Sequence, residues 1–233
     1  MHKWTLALAA TALAGLAGCA QQQPVADIAA VPSPTASARM SMVPNLTSDN
    51  PSVVEKEILD GELVPIVKYE PGVVADANTV VNTVPPPGTR VPAGTVVTIV
   101  VAGSPAAKLS AVVDADRETF VGIAKDRDGS WVVAVSATAD LPKTLQRLKA
   151  VAGKAPYRVQ TCERSWVELT RVQLELGRRD FLPGADKLAF STGIDPIACA
   201  VLMTVQLSDG EIAELTARYR GALVVRRGDV RRD

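Results

Sequence analysis

The sequence predicts an α+β protein made of two small domains. Short segments rich in β-branched residues alternate with amphipathic segments of helical period, which is the pattern of mixed folds. A break falls at Gly103-Ser104-Pro105-Ala106-Ala107, which has the composition of a linker. A chain of 233 residues, 47% of them hydrophobic, is long enough for two cores. We expect a first domain at residues 42–103, a linker at 104–110 and a second domain at 111–233.

The first 18 residues have the features of an export signal. His2 and Lys3 precede an apolar run that is shorter than the roughly 20 residues of a permanent membrane span. The run ends in Leu16-Ala17-Gly18-Cys19, which resembles the lipobox of bacterial lipoproteins. The resemblance implies that Cys19 carries fatty acids such as palmitate and anchors the mature chain on the extracytoplasmic face of the cell membrane. An ordinary signal peptide that contains a cysteine is the alternative.

The composition of residues 19–41 predicts a disordered tether. This stretch is rich in Gln, Pro, Ala and Ser and has no apolar period. A coil of this kind can hold a domain a few nanometres from the membrane.

The first domain begins with a predicted helix. Asn50 can cap the free amides of the segment SVVEKEILDG, Pro51 suits the first helical position, and Gly61 can end the helix. Val54 and Ile58 give this helix one apolar face. Three strands are predicted after it, so one helix should pack on a three-stranded sheet. The predicted strands are residues 63–69, 78–84 and 95–102.

Three motifs of the first domain resemble the PASTA domain family. They are VPNL at residues 43–46, PPPGTRV at residues 85–91 and GTVVTIVV at residues 94–101. The family occurs outside the membrane in Gram-positive serine/threonine kinases and penicillin-binding proteins. The resemblance therefore implies contact with peptidoglycan, with muropeptides or with an envelope protein partner, although no ligand-binding residue follows from the motifs. The alternative is that the turns only set the register of the strands and that the domain is a spacer.

The second domain begins with a predicted hairpin and an amphipathic helix. Residues 119–125 and 131–136 are rich in β-formers and are joined by a turn. Asp140 can cap the helix that follows. The apolar side of this helix consists of Leu141, Leu145, Leu148 and Val151.

The rest of the second domain predicts a ferredoxin-like βαββαβ sheet over residues 157–226. Residues 193–196 (GIDP) and the helix that Ser208 can cap resemble pro-regions of secreted actinobacterial serine proteases. That resemblance implies an alternative function, in which the C-terminal domain regulates or inhibits a secreted protease and the first domain is a spacer.

Cys162 and Cys199 are the pair of cysteines left once Cys19 is lipidated. In a βαββαβ sheet the first and third strands are antiparallel neighbours, so the end of one lies near the start of the other. A disulfide between the two cysteines therefore fits this sheet and an oxidising compartment. Two buried free thiols and a redox pair are the alternatives, although the C-x-x-C spacing of redox pairs is absent.

The residue inventory argues against catalysis, so we expect no enzyme. The single histidine, His2, lies in the export signal, which argues against Ser-His-Asp sites, Cys-His sites and histidine-ligated zinc. No S-x-x-K, G-x-S-x-G, phosphate-loop or dinucleotide motif occurs, so neither a cofactor nor a metal is expected. A pair of carboxylates could still serve a glycosidase, and solvated surface charge is the alternative interpretation. The candidates are Glu163, Glu168, Asp195 and Glu211.

The charge balance argues against nucleic acid as a partner. Lys plus Arg and Asp plus Glu number 25 each, so the chain has no net field of either sign. The leading hypothesis is a membrane-anchored cell-envelope lipoprotein, non-enzymatic, that binds peptidoglycan or a wall-synthesis partner through its first domain.

Overall fold

The computed structural model describes residues 39–228. The export signal, Cys19 and nearly all of the predicted tether lie outside the described residues. Within residues 39–228, no helix is both long enough and apolar enough to cross a membrane.

The N-terminal domain contains one helix and two small sheets. Its elements are β1 (Met40–Met42), α1 (Pro51–Asp60), β2 (Val64–Glu70), β3 (Val80–Val84), β4 (Arg90–Pro92) and β5 (Val96–Ala102). The predicted helix and three predicted strands are confirmed, with ends that differ by one or two residues. Strands β1 and β4, which the sequence analysis did not predict, form an antiparallel pair.

The C-terminal domain contains four helices and two sheets of three strands each. Its elements are α2 (Leu109–Asp114), β6 (Phe120–Lys125), β7 (Trp131–Ser136), α3 (Leu141–Ala152), β8 (Tyr157–Cys162), α4 (Trp166–Gly177), β9 (Phe190–Asp195), β10 (Ala200–Val205), α5 (Asp209–Tyr219) and β11 (Leu223–Arg227). Helix α2 begins inside the segment that was expected to be a linker. The α+β class predicted from the sequence is confirmed.

Helix α1 begins and ends at the predicted residues. The side chain of Asn50 accepts a hydrogen bond from the backbone N–H of the second helical residue at 3.0 Å. Gly61 follows the helix with an ordinary φ of −78°, and Glu62 is the residue in the left-handed region, with φ 57°. Glycine relieves crowding at 61, because a Cβ there would lie 3.3 Å from the carbonyl oxygen of Ile58, a tight contact.

The main sheet of the N-terminal domain has β5 at its centre, parallel to β2 and antiparallel to β3. Helix α1 packs on its inner face and closes a core of aliphatic side chains. That core consists of Val43, Val54, Ile58, Leu63, Val67, Val91, Val97, Ile99 and Val101.

The outer face of this sheet, which points away from α1, carries a buried apolar patch beside the polar residues Lys68 and Thr98. Val64, Ile66 and Val100 lie on it and are 0%, 7% and 7% exposed, although none of them belongs to the core under α1. Helix α4 packs against β2, and Arg147 lies across a groove from Ile66 and Val100, so the C-terminal domain covers part of this face. The N-terminal domain is therefore fixed to its neighbour.

Polar contacts from α4 reinforce the docking of the two domains. At the end of the helix, Arg178 Nε donates to Glu62 Oε2 at 3.1 Å, and both side chains are about one quarter exposed. Arg39 holds the other carboxylate oxygen of Glu62 at 3.0 Å. Two turns earlier on α4, Arg171 Nε donates to the backbone oxygen of Gly94 at 3.1 Å. Because the Glu62–Arg178 pair is partly buried, solvent screens it less than a surface pair.

The C-terminal domain consists of two halves with the same order of elements. Each half has a helix, an antiparallel hairpin, a second helix and a last strand that pairs in parallel with the second strand of the hairpin. The first half is α2-β6-β7-α3-β8, and the second half is α4-β9-β10-α5-β11.

The single ferredoxin-like sheet predicted over residues 157–226 does not form. Strand β8 pairs with β7, and β10 lies between β9 and β11 in a separate sheet. A strand that follows a crossover helix pairs in parallel with the strand before that helix, so β8 completes the sheet begun by the preceding hairpin. The predicted unit started with the last strand of one half, whereas the second half begins with α4.

The second half packs on the back of the first sheet. Phe120 and Val133 face the core formed with α2 and α3. Val121, Ala134 and Cys162 of the same sheet belong instead to the core of the second half. Both faces of the first sheet are therefore buried.

Helix α3 is capped by Asp140 as predicted, but its buried side differs from the predicted one. Leu148 is fully buried, whereas Leu141 and Leu145 are each 40% exposed. Thr144 is buried in their place, and its hydroxyl donates to the backbone oxygen of Asp140 at 2.7 Å. The hydroxyl needs no partner outside the helix, so a threonine can occupy a core position that the apolar pattern does not mark.

A disulfide joins Cys162 at the end of β8 to Cys199 in the turn before β10, with Cα atoms 5.4 Å apart. The predicted pairing is present, but the reason given for it is wrong, because the bond links two sheets and not two neighbouring strands. The two cysteines are 37 residues apart in the sequence. Closing a loop of that length stabilises the folded state by about 4 kcal/mol in the chain-entropy model.

Candidate functional site

Cavities lie where the two domains meet, and the most polar of them is the candidate functional site. It has a volume of about 490 Å³ and opens between α1 and β2 on one side and α2 on the other. We call it the polar cleft and define it by the residues whose side chains decide its chemistry: Glu55, Tyr69, Asn78, Lys108, Asp114 and Arg117.

The N-terminal domain supplies a carboxylate, a phenol and an amide to the polar cleft. Glu55 lies on α1, one turn after the capped start of the helix, on the side that faces α2. Tyr69, near the end of β2, donates its hydroxyl to Asn78 Oδ1 at 2.9 Å. Asn78 has a φ of 66°, and its backbone N–H donates to the oxygen of Ala102 at 2.8 Å. The loop that carries Asn78 is thus tied to the end of β5.

The C-terminal domain supplies the opposite wall of the polar cleft. Arg117 Nη2 donates to Asp114 Oδ1 at 2.7 Å, and the guanidinium lies over the indole of Trp166, 5.3 Å from its ring centroid. This pairing and stacking fix the position of Arg117. Lys108 lies at the mouth of the cleft, where it is the residue that precedes α2.

Glu55 is the carboxylate of the cleft that lacks a hydrogen-bond donor from the protein. No described residue donates a hydrogen bond to it, whereas Asp114 is engaged with Arg117. Burial raises the pKa of Glu55 above 4.5; the charge of Arg117 opposes this rise and the charge of Asp114 adds to it. Burial likewise raises the pKa of Tyr69 above 10.0, and the charges of Glu55 and Asp114 act in the same direction.

Two further cavities lie along the same boundary. The first, of about 540 Å³, is an open groove on the outer face of the N-terminal sheet, between Ile66 and Val84 on one side and Arg147 on the other. The second, of about 430 Å³, lies between the end of α1 and α4, next to Glu62 and Arg178. The lining of the polar cleft is mainly polar, whereas the linings of these two cavities are mainly apolar, so we treat the polar cleft as the stronger candidate.

The carboxylates that the sequence suggested as catalytic candidates have structural contacts or lie exposed. Glu168 and Glu211 each close a capping box, at the start of α4 and of α5, and this hydrogen bonding lowers the pKa of both. Asp195 accepts hydrogen bonds from the backbone N–H groups of residues 197 and 198. Glu163 is exposed at the end of β8. The structure does not bring these four side chains together in any of the three cavities described above.

The other predicted site residues are the three cysteines. Cys162 and Cys199 are joined, whereas Cys19 lies outside the described residues. Among residues 39–228, no group of three or more His, Cys, Asp and Glu side chains lies close enough together to hold a metal ion.

The polar cleft escaped the sequence analysis because its walls come from different domains. The sequence contained one signal for it. Glu55 has no oppositely charged residue four positions away on α1, whereas its neighbour Lys56 pairs with Asp60. An acidic residue without such a partner is a candidate for a contact outside its own helix.

Residues 41–103 match the family model of the PASTA domain, which covers all six elements of the N-terminal domain except the first residue of β1. The match confirms the resemblance seen in the sequence and indicates a cell-wall-related extracellular module of the type present in penicillin-binding proteins. No curated protein matches the chain.

We predict that Glu55→Gln increases the free energy of unfolding at pH 7. The pKa of Glu55 is raised in the folded state, so its contribution to stability is full below pH 4.5 and is lost as the pH rises through the folded pKa. Glutamine mimics the protonated form and removes that loss. Urea unfolding at neutral and acidic pH should show a gain for the variant that shrinks as the pH approaches 4.5.

Asp60→Asn is the matched control, because it removes a carboxylate from the same helix that is exposed and paired with Lys56. It should change stability by no more than about 0.5 kcal/mol at either pH. A Glu55→Gln variant that is less stable than the parent at pH 7 would contradict the assignment of an unfavourably buried carboxylate.

Proposed function

We propose that this protein is a non-enzymatic lipoprotein of the cell envelope whose PASTA region binds peptidoglycan or a protein of wall synthesis. The observation that carries the proposal is the match of residues 41–103 to the PASTA domain, directly behind a lipobox-like motif and a low-complexity segment. Acylation of Cys19 would hold the chain at the outer face of the membrane. The C-terminal domain would then be presented to the same compartment.

The distance between anchor and domain is compatible with this proposal. The composition of residues 19–38 predicts a flexible coil, and a coil of 20 residues would span roughly 25 Å on average. Several acyl chains on one residue would anchor the protein firmly, whereas a single chain binds reversibly.

The exposed parts of the PASTA region include the strand β1, the loop of residues 71–78, the edge strand β3, the solvent side of α1 and the mouth of the polar cleft. Val81 and Val84 of β3 are 42% and 56% exposed. The inner face of the sheet is covered by α1, and part of the outer face by the C-terminal domain. A wall ligand or a protein partner would therefore meet the region at its edge or at the cleft.

The alternative in which the C-terminal domain regulates a secreted protease stays a prediction from the sequence. No contact in residues 39–228 favours it over the envelope role.

We predict that the soluble chain from residue 20 onward sediments with purified peptidoglycan sacculi. The matched control is a chain that starts at residue 104 and lacks the PASTA region; its circular dichroism must first show that it is folded. Retention of the longer chain alone supports a wall ligand. Equal retention of both chains would move binding to the C-terminal domain, and retention of neither would leave a wall-synthesis protein as the partner.

We predict that Cys19→Ser abolishes the incorporation of fatty acid into this protein in the producing cells. Serine cannot accept the thioether-linked lipid of a lipobox cysteine, so the chain would lose its anchor. Metabolic labelling with a palmitate analogue should mark the parent chain and leave the variant unmarked. A variant that still incorporates the palmitate analogue would contradict acylation of Cys19.

A further inference from the structure

The polar cleft contains acidic and basic side chains, and only one acidic and one basic side chain are paired with each other within the described part of the chain. Glu55 and Asp114 are acidic, and Lys108 and Arg117 are basic. Asp114 and Arg117 satisfy each other in part through the contact of 2.7 Å. Glu55 has no hydrogen-bond donor among the described residues, and no described carboxylate is paired with Lys108. The cleft therefore presents one unpaired acceptor site and one unpaired donor site to a ligand.

This arrangement discriminates between classes of ligand. A simple anion would meet the carboxylates of Glu55 and Asp114, and a simple cation would meet Lys108 and Arg117, so each would gain an attraction and suffer a repulsion. A molecule with an ammonium group and a carboxylate can place the ammonium at Glu55 and the carboxylate at Lys108. Charge-assisted hydrogen bonds would then form at both ends.

The neutral groups of the cleft add directional contacts. The amide nitrogen of Asn78 can donate, because its oxygen is already occupied by the hydroxyl of Tyr69. The remaining N–H groups of Arg117 can donate as well, since only Nη2 is used in the contact with Asp114. A volume of about 490 Å³ is ample for an amino acid or a short peptide.

We propose that the polar cleft is a binding site for a zwitterionic amino acid or short peptide that carries a free ammonium group, with Glu55 as its anchor. The proposal deepens the proposed function, because peptide segments of a bacterial wall belong to this chemical class, and it rests on that function for its biological source. The site itself stands on the geometry between α1, β2 and α2. Both domains contribute, so neither would bind such a ligand alone.

The raised pKa of Glu55 agrees with this role. A partly buried carboxylate without a donor destabilises the empty protein, and a ligand ammonium would remove that cost on binding.

The test uses the chain from residue 20 onward and three probes of related structure. They are meso-2,6-diaminopimelate, which carries ammonium and carboxylate groups, pimelate, which carries only carboxylates, and 1,5-diaminopentane, which carries only amines. Isothermal titration calorimetry and amide NMR shifts should show binding of diaminopimelate alone. The shifts should include the indole N–H of Trp166, which lies under the guanidinium of Arg117. Equal binding of all three probes, or no binding of diaminopimelate at millimolar concentration, would overturn the proposal.

Two variants and two controls locate the site. Glu55→Gln and Lys108→Gln should each weaken binding of diaminopimelate at least tenfold, because each removes one charged partner. Asp60→Asn and Lys56→Gln make the same charge changes on exposed residues of α1 outside the cleft and should stay within twofold of the parent chain. Unchanged affinity in Glu55→Gln would overturn the assignment of the anchor.

Sedimentation with sacculi separates this proposal from the proposed function. A chain that sediments with sacculi but does not bind diaminopimelate retains the wall function and refutes the cleft. A chain that binds diaminopimelate but not sacculi retains the cleft and points to a free amino acid or peptide as its source. Release of the chain from sacculi by diaminopimelate, but not by pimelate, would support both.

Discussion

A three-stranded sheet that buries apolar residues on both faces is the constraint on which the rest of this structure depends. Helix α1 has only ten residues and covers the inner face of the PASTA sheet, which leaves Val64, Ile66 and Val100 on the outer face. Exposing that surface to water would cost about 25 cal/mol per Å². The C-terminal domain covers part of it, and this docking creates the boundary along which all three described cavities lie. The polar cleft therefore exists because the C-terminal domain docks against the N-terminal domain.

The same constraint shapes the C-terminal domain. Its first sheet uses one face for the core with α2 and α3, and the other face receives the second half, which repeats the element order of the first. The disulfide between Cys162 and Cys199 crosses this contact from the end of β8 to the turn before β10. The packing of the two halves and the disulfide therefore hold the same boundary together. The second half in turn carries α4, whose arginines hold Glu62 and the backbone of Gly94.

The sequence was sufficient for the parts of the fold that local chemistry determines. The helix starts at Asn50 and Asp140 and the hairpin β6–β7 were predicted from neighbouring residues and are present, and the resemblance to the PASTA family is confirmed. The pairing of β8 was predicted wrongly, because helix and strand patterns do not say which strand is the partner. The apolar pattern of α3 also failed to say which side chains are buried, since Leu145 is exposed and Thr144 is buried. The polar cleft was not predicted at all, since Glu55 and Arg117 meet only when the two domains dock.

The central claim is that the two domains form one cooperative unit because the C-terminal domain covers part of the outer face of the PASTA sheet. Differential scanning calorimetry on residues 39–228 tests it most directly. The account predicts a single unfolding transition whose calorimetric enthalpy equals its van't Hoff enthalpy. Two resolved transitions, or a calorimetric enthalpy well above the van't Hoff value, would mean that the domains unfold independently and would contradict it.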